Sequence, residues 1–399
     1  MLSTIDLFAG CGGLSLGFEQ AGIPTSHFVE IDKWSCGTLK KNFKQGEVFE
    51  SDIREVDKST LLSKFPINDE VLVIGGPPCQ GFSHSNIRNK DLKDPRNSLF
   101  LEYLRLVDEI QPSACLIENV PGLLKTKTKT GKPVIDIIVS ELNQIGYDAH
   151  HTILDAADYG VPQSRKRVFI VGLRKIENLS FSWPTPQNSE HISCWDAISD
   201  LPQIVHGDDI SNMDVELKPR NAFQNLMKNT EHPFITHHEP MRHTQRIVDR
   251  FASIKHGESE ANASVSHLPR VRGDTQKTSK RTYAQNSRRQ HPDKPCNTIV
   301  SSSHSNFIHP YLNRNFTVRE LMRLQSFPDN FQLCGKRAVL SRSLSIKKGL
   351  LDDLYNDQRV QVGNAVPPLL AKELALSLKK AVLNRVLNNR EVEMQIACA

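Results

Sequence analysis

The chain reads as an α/β protein: a mixed, mostly parallel sheet wound with helices, carrying a smaller, irregular, β-rich lobe. Three observations carry that reading. Short apolar runs rich in β-branched residues recur along the first half, the form of strands buried in a sheet covered on both faces. Amphipathic helical stretches alternate with them, as crossovers between parallel strands require. Between Pro184 and about Pro310 this rhythm stops, and Asn, Ser, Pro and 11 of the 15 histidines collect there.

Thr4 to Leu7 forms the first strand and meets a glycine-rich turn (Gly10, Gly12, Gly13). A helix follows with apolar residues at Leu14, Leu16, Phe18 and Ala21. Glycines there let backbone N–H groups approach a ligand at a helix N-terminus. The spacing is not the dinucleotide GxGxxG, and no P-loop lysine is present. A second short strand, His27 to Val29, ends in Glu30 and Asp32, about twenty residues past the turn, where an acid takes ribose hydroxyls. A third, Glu47 to Phe49, leads to Asp52, placed to meet an adenine amino group. Glycine turn, Glu30 and Asp52 at successive strand ends are what an adenosyl ligand needs.

The fourth run, Val71 to Ile74, breaks into Gly75-Gly76-Pro77-Pro78-Cys79. Taken alone, Cys79 suits a buried structural thiol, since such cysteines are common. Residues 81–97 are polar with a glycine hinge at Gly81, the composition of a loop that closes over substrate. Asp94-Pro95 opens an amphipathic helix, Leu99 to Ile110, and a strand, Ala114 to Ile117, then ends in Glu118-Asn119-Val120-Pro121. Glu118 therefore shares the crevice of Cys79, and a cysteine and an acid aimed at one pocket suit nucleophile and acid. Val134 to Ile145 reads as a helix and His151 to Asp155 as a strand. Gln163, Arg165 and Arg167 precede the strand Val168 to Val171, with the two guanidiniums on one face. Such a pair is either a solvated face or a clamp on a phosphate-bearing substrate.

With 399 residues, 38% hydrophobic and 24% charged, the chain has the composition of a two-lobed soluble protein. No apolar run approaches the roughly 20 residues that span a bilayer, and MLSTIDLFAG is not a secretory signal. Eight cysteines without CxxC pairs suit a reducing cytosol rather than a disulfide framework or zinc ribbon. The net charge of +5 points mildly to a polyanionic partner. Positive charge concentrates between Leu268 and Lys294, where eight basic residues (Arg270, Arg272, Lys277, Lys280, Arg281, Arg288, Arg289, Lys294) face only Asp274 and Asp293. With Tyr283 and several Gln and Asn, this is the composition of a groove-reading segment, though it also suits an exposed charged loop. His232, His237, His238 and His243 lack paired cysteines and finger spacing, so no metal is expected.

Pro295 to Ser303 (PCNTIVSSS) reads as a strand. Thr317 caps a helix, Val318 to Gln325, with Glu320 completing a capping box. Residues 332–360 form a long basic connector, and a final helix, Leu369 to about Leu387, has the spacing to pack on the N-terminal lobe.

By these pieces the chain resembles the cytosine-C5 DNA methyltransferases. The matching stretches, in the family's order, are DLFAGCGG, GGPPCQGFS, ENV, QSRKRVFIVG, RELMRLQSFPD and QVGNAVPP, and they cover roughly 1–184 and 312–385. The resemblance implies a Rossmann-like S-adenosylmethionine-dependent methyltransferase domain over 1–184 and 361–390, a target-recognition domain over 185–311, and a hinge and connector over 312–360. It implies transfer of a methyl group to carbon 5 of a cytosine flipped out of duplex DNA. Cys79 matches the nucleophile that attacks carbon 6, and Glu118 the acid that holds ring nitrogen 3 and the exocyclic amine. Arg165 would face the cytosine or the thiolate, with Arg167 supporting it.

The cofactor residues carry over likewise. Phe8 would stack on adenine, with Ala9, Gly10, Gly12, Gly13 and Leu14 around the methionine part. Glu30 would hold the ribose and Asp52 the adenine amine, with Ile53 and Pro78 flanking the ring and Asn364 closing the methionine end. Ile31 stands where many relatives carry an aromatic. Gln80, Ser83, Arg88 and Arg96 are candidates for contacts behind the flipped base, and Arg270, Arg272 and Arg281 for the recognition segment. The implied setting is a cytoplasmic bacterial monomer paired in function with a restriction endonuclease, without a stable complex. Alternatives are a tRNA cytosine-C5 methyltransferase or an inactive DNA-binding regulator; the long basic middle segment and the intact Cys79 and Glu118 argue against them.

Overall fold

A computed structural model of the protein describes residues 2–62, 70–78, 98–128, 131–177, 179–187, 190–205, 217–228, 235–271, 274–279, 282–302, 306–339 and 342–397. The chain divides into two compact units. The first comprises Met1–Tyr159, Lys166–Gln187 and Val366–Ala399, and the second Gly160–Arg165 and Asn188–Ala365. The connector 332–360 belongs by its packing to the second unit.

Unit one is built on β1 (Leu2–Leu7), α1 (Gly13–Gln20), β2 (Thr25–Glu30), α2 (Lys33–Asn42), β3 (Glu47–Glu50), α3 (Lys58–Leu62), β4 (Glu70–Gly75), α4 (Ser98–Ile110), β5 (Ala114–Asn119), α5 (Val134–Gln144), β6 (Tyr147–Asp155) and β7 (Lys166–Arg174). The seven strands form one sheet in the order β3-β2-β1-β4-β5-β7-β6. The first five are parallel, and β7 runs antiparallel between β5 and β6. Strand order reverses between β1 and β4, the switch point at which open α/β sheets bind their ligands.

Alternate side chains of the central strands point to opposite faces. Ile5, Leu7, Val73, Cys115 and Ile117 join Tyr103, Leu106, Val107, Ile138 and Leu142 of α4 and α5 in one core. Tyr103 buries its ring completely, and its hydroxyl donates to the carbonyls of Val73 and Leu116, tying α4 across two strands. α2 was not legible in the apolar pattern. Its register is set by a cap, with Asp32 accepting from the Ser35 N–H at 2.9 Å. The closing helix of this unit, Pro368–Ala397, starts one residue before the expected range and runs ten beyond it. It passes α1 at Gly17, where a Cβ would lie 2.5 Å from the Pro368 carbonyl oxygen, so only glycine permits that approach.

Among the described residues, unit two has little regular structure. Its helices are α6 (Cys194–Ile198), α7 (Ala222–Met227), α8 (Gln245–Ala252), α9 (Val318–Leu324), α10 (Arg342–Lys347) and α11 (Gln358–Asn364). Its strands among the described residues are the short pairs Arg270–Val271 with Asp274–Thr278 and Arg288–Arg289 with Phe307–Ile308. The capping box of Thr317 and Glu320 forms as expected. The expected strand at PCNTIVSSS does not. That segment makes one isolated bridge, Cys296 to Gln163, and its other backbone bonds go to the 162–164 turn, to Arg165 and to the Gln290 side chain. The Ile299 N–H, for example, donates to the Gln163 side-chain oxygen at 2.8 Å.

Buried charge organises this unit. Arg314 makes a fork onto Glu320, with bonds of 2.8 and 2.7 Å, and both side chains are out of solvent. His309 lies 3.7 Å from the same carboxylate, near Arg314, Arg289 and His238, and burial lowers its pKa from 6.5 to about 4. A base held neutral by the fold takes up its proton first in the unfolded chain. Its contribution to stability is therefore full above pH 6.5 and lost as pH falls toward 4. Between pH 7 and 5 the chain should lose on the order of 1–2 kcal/mol through this group. Thermal unfolding at the two pH values should show it, and His309→Asn should flatten that dependence.

Candidate active site

The site starts where the backbone of β1 leaves the sheet. Phe8 adopts a left-handed conformation with φ of 64°, unusual for an aromatic residue and a form of strain that gathers at functional turns. It is held there by two bonds into the end of β2, from Phe8 N–H and Ala9 N–H to the Val29 carbonyl at 3.0 and 3.2 Å. Gly10 and Gly12 follow with φ of 55° and 84°. The two glycines do different work. A Cβ at Gly12 would run into Phe43 and Leu39, so that position is glycine for want of space. A Cβ at Gly10 would meet nothing within 4 Å, so the turn is open there and presents bare backbone.

Glu30 closes the turn from the neighbouring strand end. Its carboxylate accepts from Gly10 N–H at 2.7 Å and from the Ile31 and Asp32 N–H groups at 2.9 and 2.8 Å. Burial raises the Glu30 pKa, and the hydrogen bonds from Asp32, Gly10 and Ile31 pull it back down. Beneath the turn, Ser15 of α1 donates to the fully buried Asp6 at 2.5 Å. Ile31 is 64% exposed, an apolar surface beside the acid. Ala9, Gly13 and Leu14 are buried around the start of α1. Asp52 caps a short 3-10 turn, Ile53–Glu55, and its carboxylate takes the Arg54 side chain as well as the Arg54 N–H. That arginine bond holds the Asp52 pKa below its ordinary value. Ile53 turns into the core, 4% exposed.

On the other side of the switch point, β4 ends at Gly75 and β5 at Asn119. Glu118 is paired across the antiparallel ladder with Phe169 of β7. Arg167, two residues earlier on β7, therefore sits diagonal to Glu118 on the same face. Its Nε meets Glu118 Oε1 at 2.9 Å, with both side chains close to nine-tenths buried. A Cβ on Gly76 would come within 3.3 Å of Glu118 Oε2, so glycine there leaves room beside the free edge of the acid. Pro77 is buried and Pro78 half-buried, just before Cys79 in the sequence.

Arg165 and Arg167, expected to share a face, have different surroundings. Arg165 is 1% exposed inside unit two, donating to the carbonyls of Ile299 at 2.7 Å and Gly363 at 3.0 Å. Only Arg167 meets Glu118. Asn364 ends α11 with its side chain exposed, next to the Gly363 that Arg165 holds. Arg270 lies half-buried in its two-residue strand. Arg289, one of the eight basic residues of the recognition stretch, points inward as a 5% exposed structural group. His238 is likewise structural, with ring nitrogens on Thr317 Oγ1 and the Pro202 carbonyl at 2.9 and 2.8 Å. Cys79, Gln80, Ser83, Arg88, Arg96, Arg272 and Arg281 lie outside the described residues. Sequence reasoning missed the Arg54–Asp52 pair and the Asp6–Ser15 contact. The spacing of an arginine two residues after the acid was the available signal for the first.

A doubly wound sheet with an open glycine turn on one side of the switch point and a charge-paired acid on the other defines a class of α/β enzymes that work on a ligand beyond the strand ends. The comparisons narrow it. Residues 2–380 match the model of the C-5 cytosine-specific DNA methylases, and the chain belongs to that family. It is 45% identical over 378 residues to the type II methyltransferase M.DdeI of Desulfomicrobium norvegicum, covering 94% of this chain and 88% of the relative. It is 34% identical over 384 residues to M1.HphI of Haemophilus parahaemolyticus, covering 96% and 88%. Among solved structures it resembles a chain named as a prophage-encoded DNA modification methyltransferase of E. coli, at 26% identity and TM-score 0.72, over 96% of this chain and 99% of that one. Dnmt2 of S. pombe shares the fold alone, at 16% identity and TM-score 0.55, over 95% and 99%. The protein is a DNA cytosine-C5 methyltransferase whose cofactor is S-adenosylmethionine.

The open Gly10 backbone, the anchored Glu30 carboxylate and the exposed Ile31 suit an adenosyl ligand. Glu30→Ala should weaken S-adenosylhomocysteine binding at least tenfold by titration calorimetry and also lower the thermal midpoint, because three N–H groups lose their acceptor. Unchanged affinity would place the ribose elsewhere.

Proposed function

We propose that the enzyme methylates a cytosine flipped out of a short, specific duplex DNA sequence, through a covalent bond between Cys79 and carbon 6 of the base. The observation that carries this reading is the Glu118–Arg167 pair at the end of β5, with Gly76 of the cysteine turn beside the other carboxyl oxygen. Carbon 5 of cytosine is a poor nucleophile. Attack of the Cys79 thiolate on carbon 6 forms a C–S bond and makes carbon 5 enamine-like. Glu118 assists by holding ring nitrogen 3 and the exocyclic amine, and Arg167 fixes the orientation of Glu118. Bound S-adenosylmethionine supplies the electrophilic methyl group. The carbon-5 proton then leaves to a base, and the electrons of that bond expel the thiolate, restoring the ring and Cys79.

Phe8, Ala9, Gly10, Gly12, Gly13, Leu14, Glu30, Ile31, Asp52, Ile53, Pro78 and Asn364 are the residues proposed to hold the cofactor. For Asp52 the observed arginine bond keeps the carboxylate ionised as an acceptor for an amine. In this reading Arg165 acts on backbone, holding the Ile299 and Gly363 carbonyls. Flipping the base costs a few kcal/mol, offset by contacts to the base and to the gap it leaves. Gln80, Ser83, Arg88 and Arg96 would act behind it, and Arg270, Arg272 and Arg281 on the duplex. The family and the type II relatives support a role in protecting host DNA from a partner endonuclease; that the enzyme acts as a monomer is part of the proposal.

The test is methyl transfer from labelled S-adenosylmethionine to unmethylated duplex DNA and to tRNA. DNA should be labelled, and Cys79→Ala should lose transfer yet retain DNA binding in a mobility-shift assay. Turnover by Cys79→Ala near the wild-type rate, or labelling of tRNA alone, would overturn the reading.

A further inference from the structure

We infer that Asn119 is a positioning residue that fixes Pro77, two residues before Cys79, against the strand that carries Glu118. The inference rests on the functional reading above and adds a residue to it that touches neither substrate nor cofactor.

β4 and β5 pair in parallel register, Leu72 with Ala114 through Gly75 with Ile117. Carried two residues further, that register sets Pro77 opposite Asn119. The backbone ladder cannot follow, because Pro77 and Pro78 have no N–H to donate. At this point the Asn119 side chain takes over: Nδ2 donates to the Pro77 carbonyl at 3.0 Å, a bond buried on both sides. Its other atom is committed as well, since Oδ1 accepts from the Val120 N–H at 2.9 Å. Asn119 is 7% exposed, and its bond to Pro77 is shielded from water. One carboxamide thus grips Pro77, two residues before Cys79 in sequence, while its backbone is peptide-bonded to Glu118. A bond of this kind holds the chain leading to the nucleophile against the strand that carries the acid, and misplacing reacting groups by about 1 Å costs roughly 10²-fold in rate.

Asn119→Asp keeps an oxygen for the Val120 N–H and removes the donor to Pro77; Asn119→Ala removes both. Each variant is compared with wild type in single-turnover methyl transfer to duplex DNA, S-adenosylhomocysteine affinity, DNA KM and thermal midpoint. Positioning requires a single-turnover rate about 10- to 100-fold below wild type in both variants. Cofactor affinity and DNA KM should stay within about twofold, and Asn119→Asp should unfold near the wild-type midpoint. A rate within about twofold of wild type in Asn119→Asp would overturn the assignment. So would a rate loss matched by an equal loss of cofactor affinity, which marks general damage to the unit. A wild-type enzyme that transfers no methyl group to any cytosine-containing duplex would overturn the functional reading, and this assignment with it.

Discussion

The ladder of a parallel sheet runs out at its carboxyl ends, and the chemistry of unit one depends on what bonds replace it there. A strand that simply stopped would leave donors and acceptors unpaired in a half-buried crevice, at a cost of about 1–3 kcal/mol each. This chain answers with side chains and turns. Glu30 gathers three N–H groups at the end of β2, Asn119 takes the Pro77 carbonyl at the end of β4, and Arg167 meets Glu118 at the end of β5. Groups immobilised in this way are preorganised, which is what a site needs when it must align a thiol, an acid and a methyl donor.

Unit two solves the same problem without a ladder of any length. Its irregular backbone leaves many carbonyls to satisfy, and buried guanidiniums supply the donors. Arg289 alone reaches the carbonyls of Ile254, Phe251, His309, Pro310 and Leu312. Arg319 serves Thr236, Pro328 and Phe331, and Arg323 bridges Asp329 and Asp200 while reaching the Ala197 carbonyl. Burying charge is unfavourable unless every donor is engaged, so each arginine fixes several distant segments at once. A scaffold held by a few multidentate groups leaves the loops between them free to vary in sequence, which suits the DNA-reading role proposed for this lobe.

The sheet was legible because its strands are short runs bounded by glycines, prolines and acids, and the sequence places a strand at each of its seven positions. The motifs located the acid, the turn and the glycines. What stayed hidden depends on contacts between distant residues. Arg165 and Arg167 are two apart in an identical local pattern, yet one is buried among the carbonyls of Ile299 and Gly363 and the other meets Glu118. Arg289 looked like part of a basic surface stretch because charge in sequence carries no sign of burial. The segment PCNTIVSSS has strand composition, but its partners are the turn at 162–164 rather than another strand. α2 escaped because its boundary is set by the Asp32 cap and not by an apolar stripe.

The central claim is that Cys79 forms a covalent bond to carbon 6 of a cytosine held by Glu118. The most direct measurement uses duplex DNA carrying 5-fluorocytosine at the target position, where fluorine replaces the proton that must leave after methyl transfer and so blocks release of the thiolate. Incubation with enzyme and S-adenosylmethionine, followed by proteolysis and mass spectrometry, should give a methylated DNA adduct on the peptide containing Cys79. No adduct under conditions where ordinary DNA is methylated, or an adduct on any other cysteine, would contradict the account.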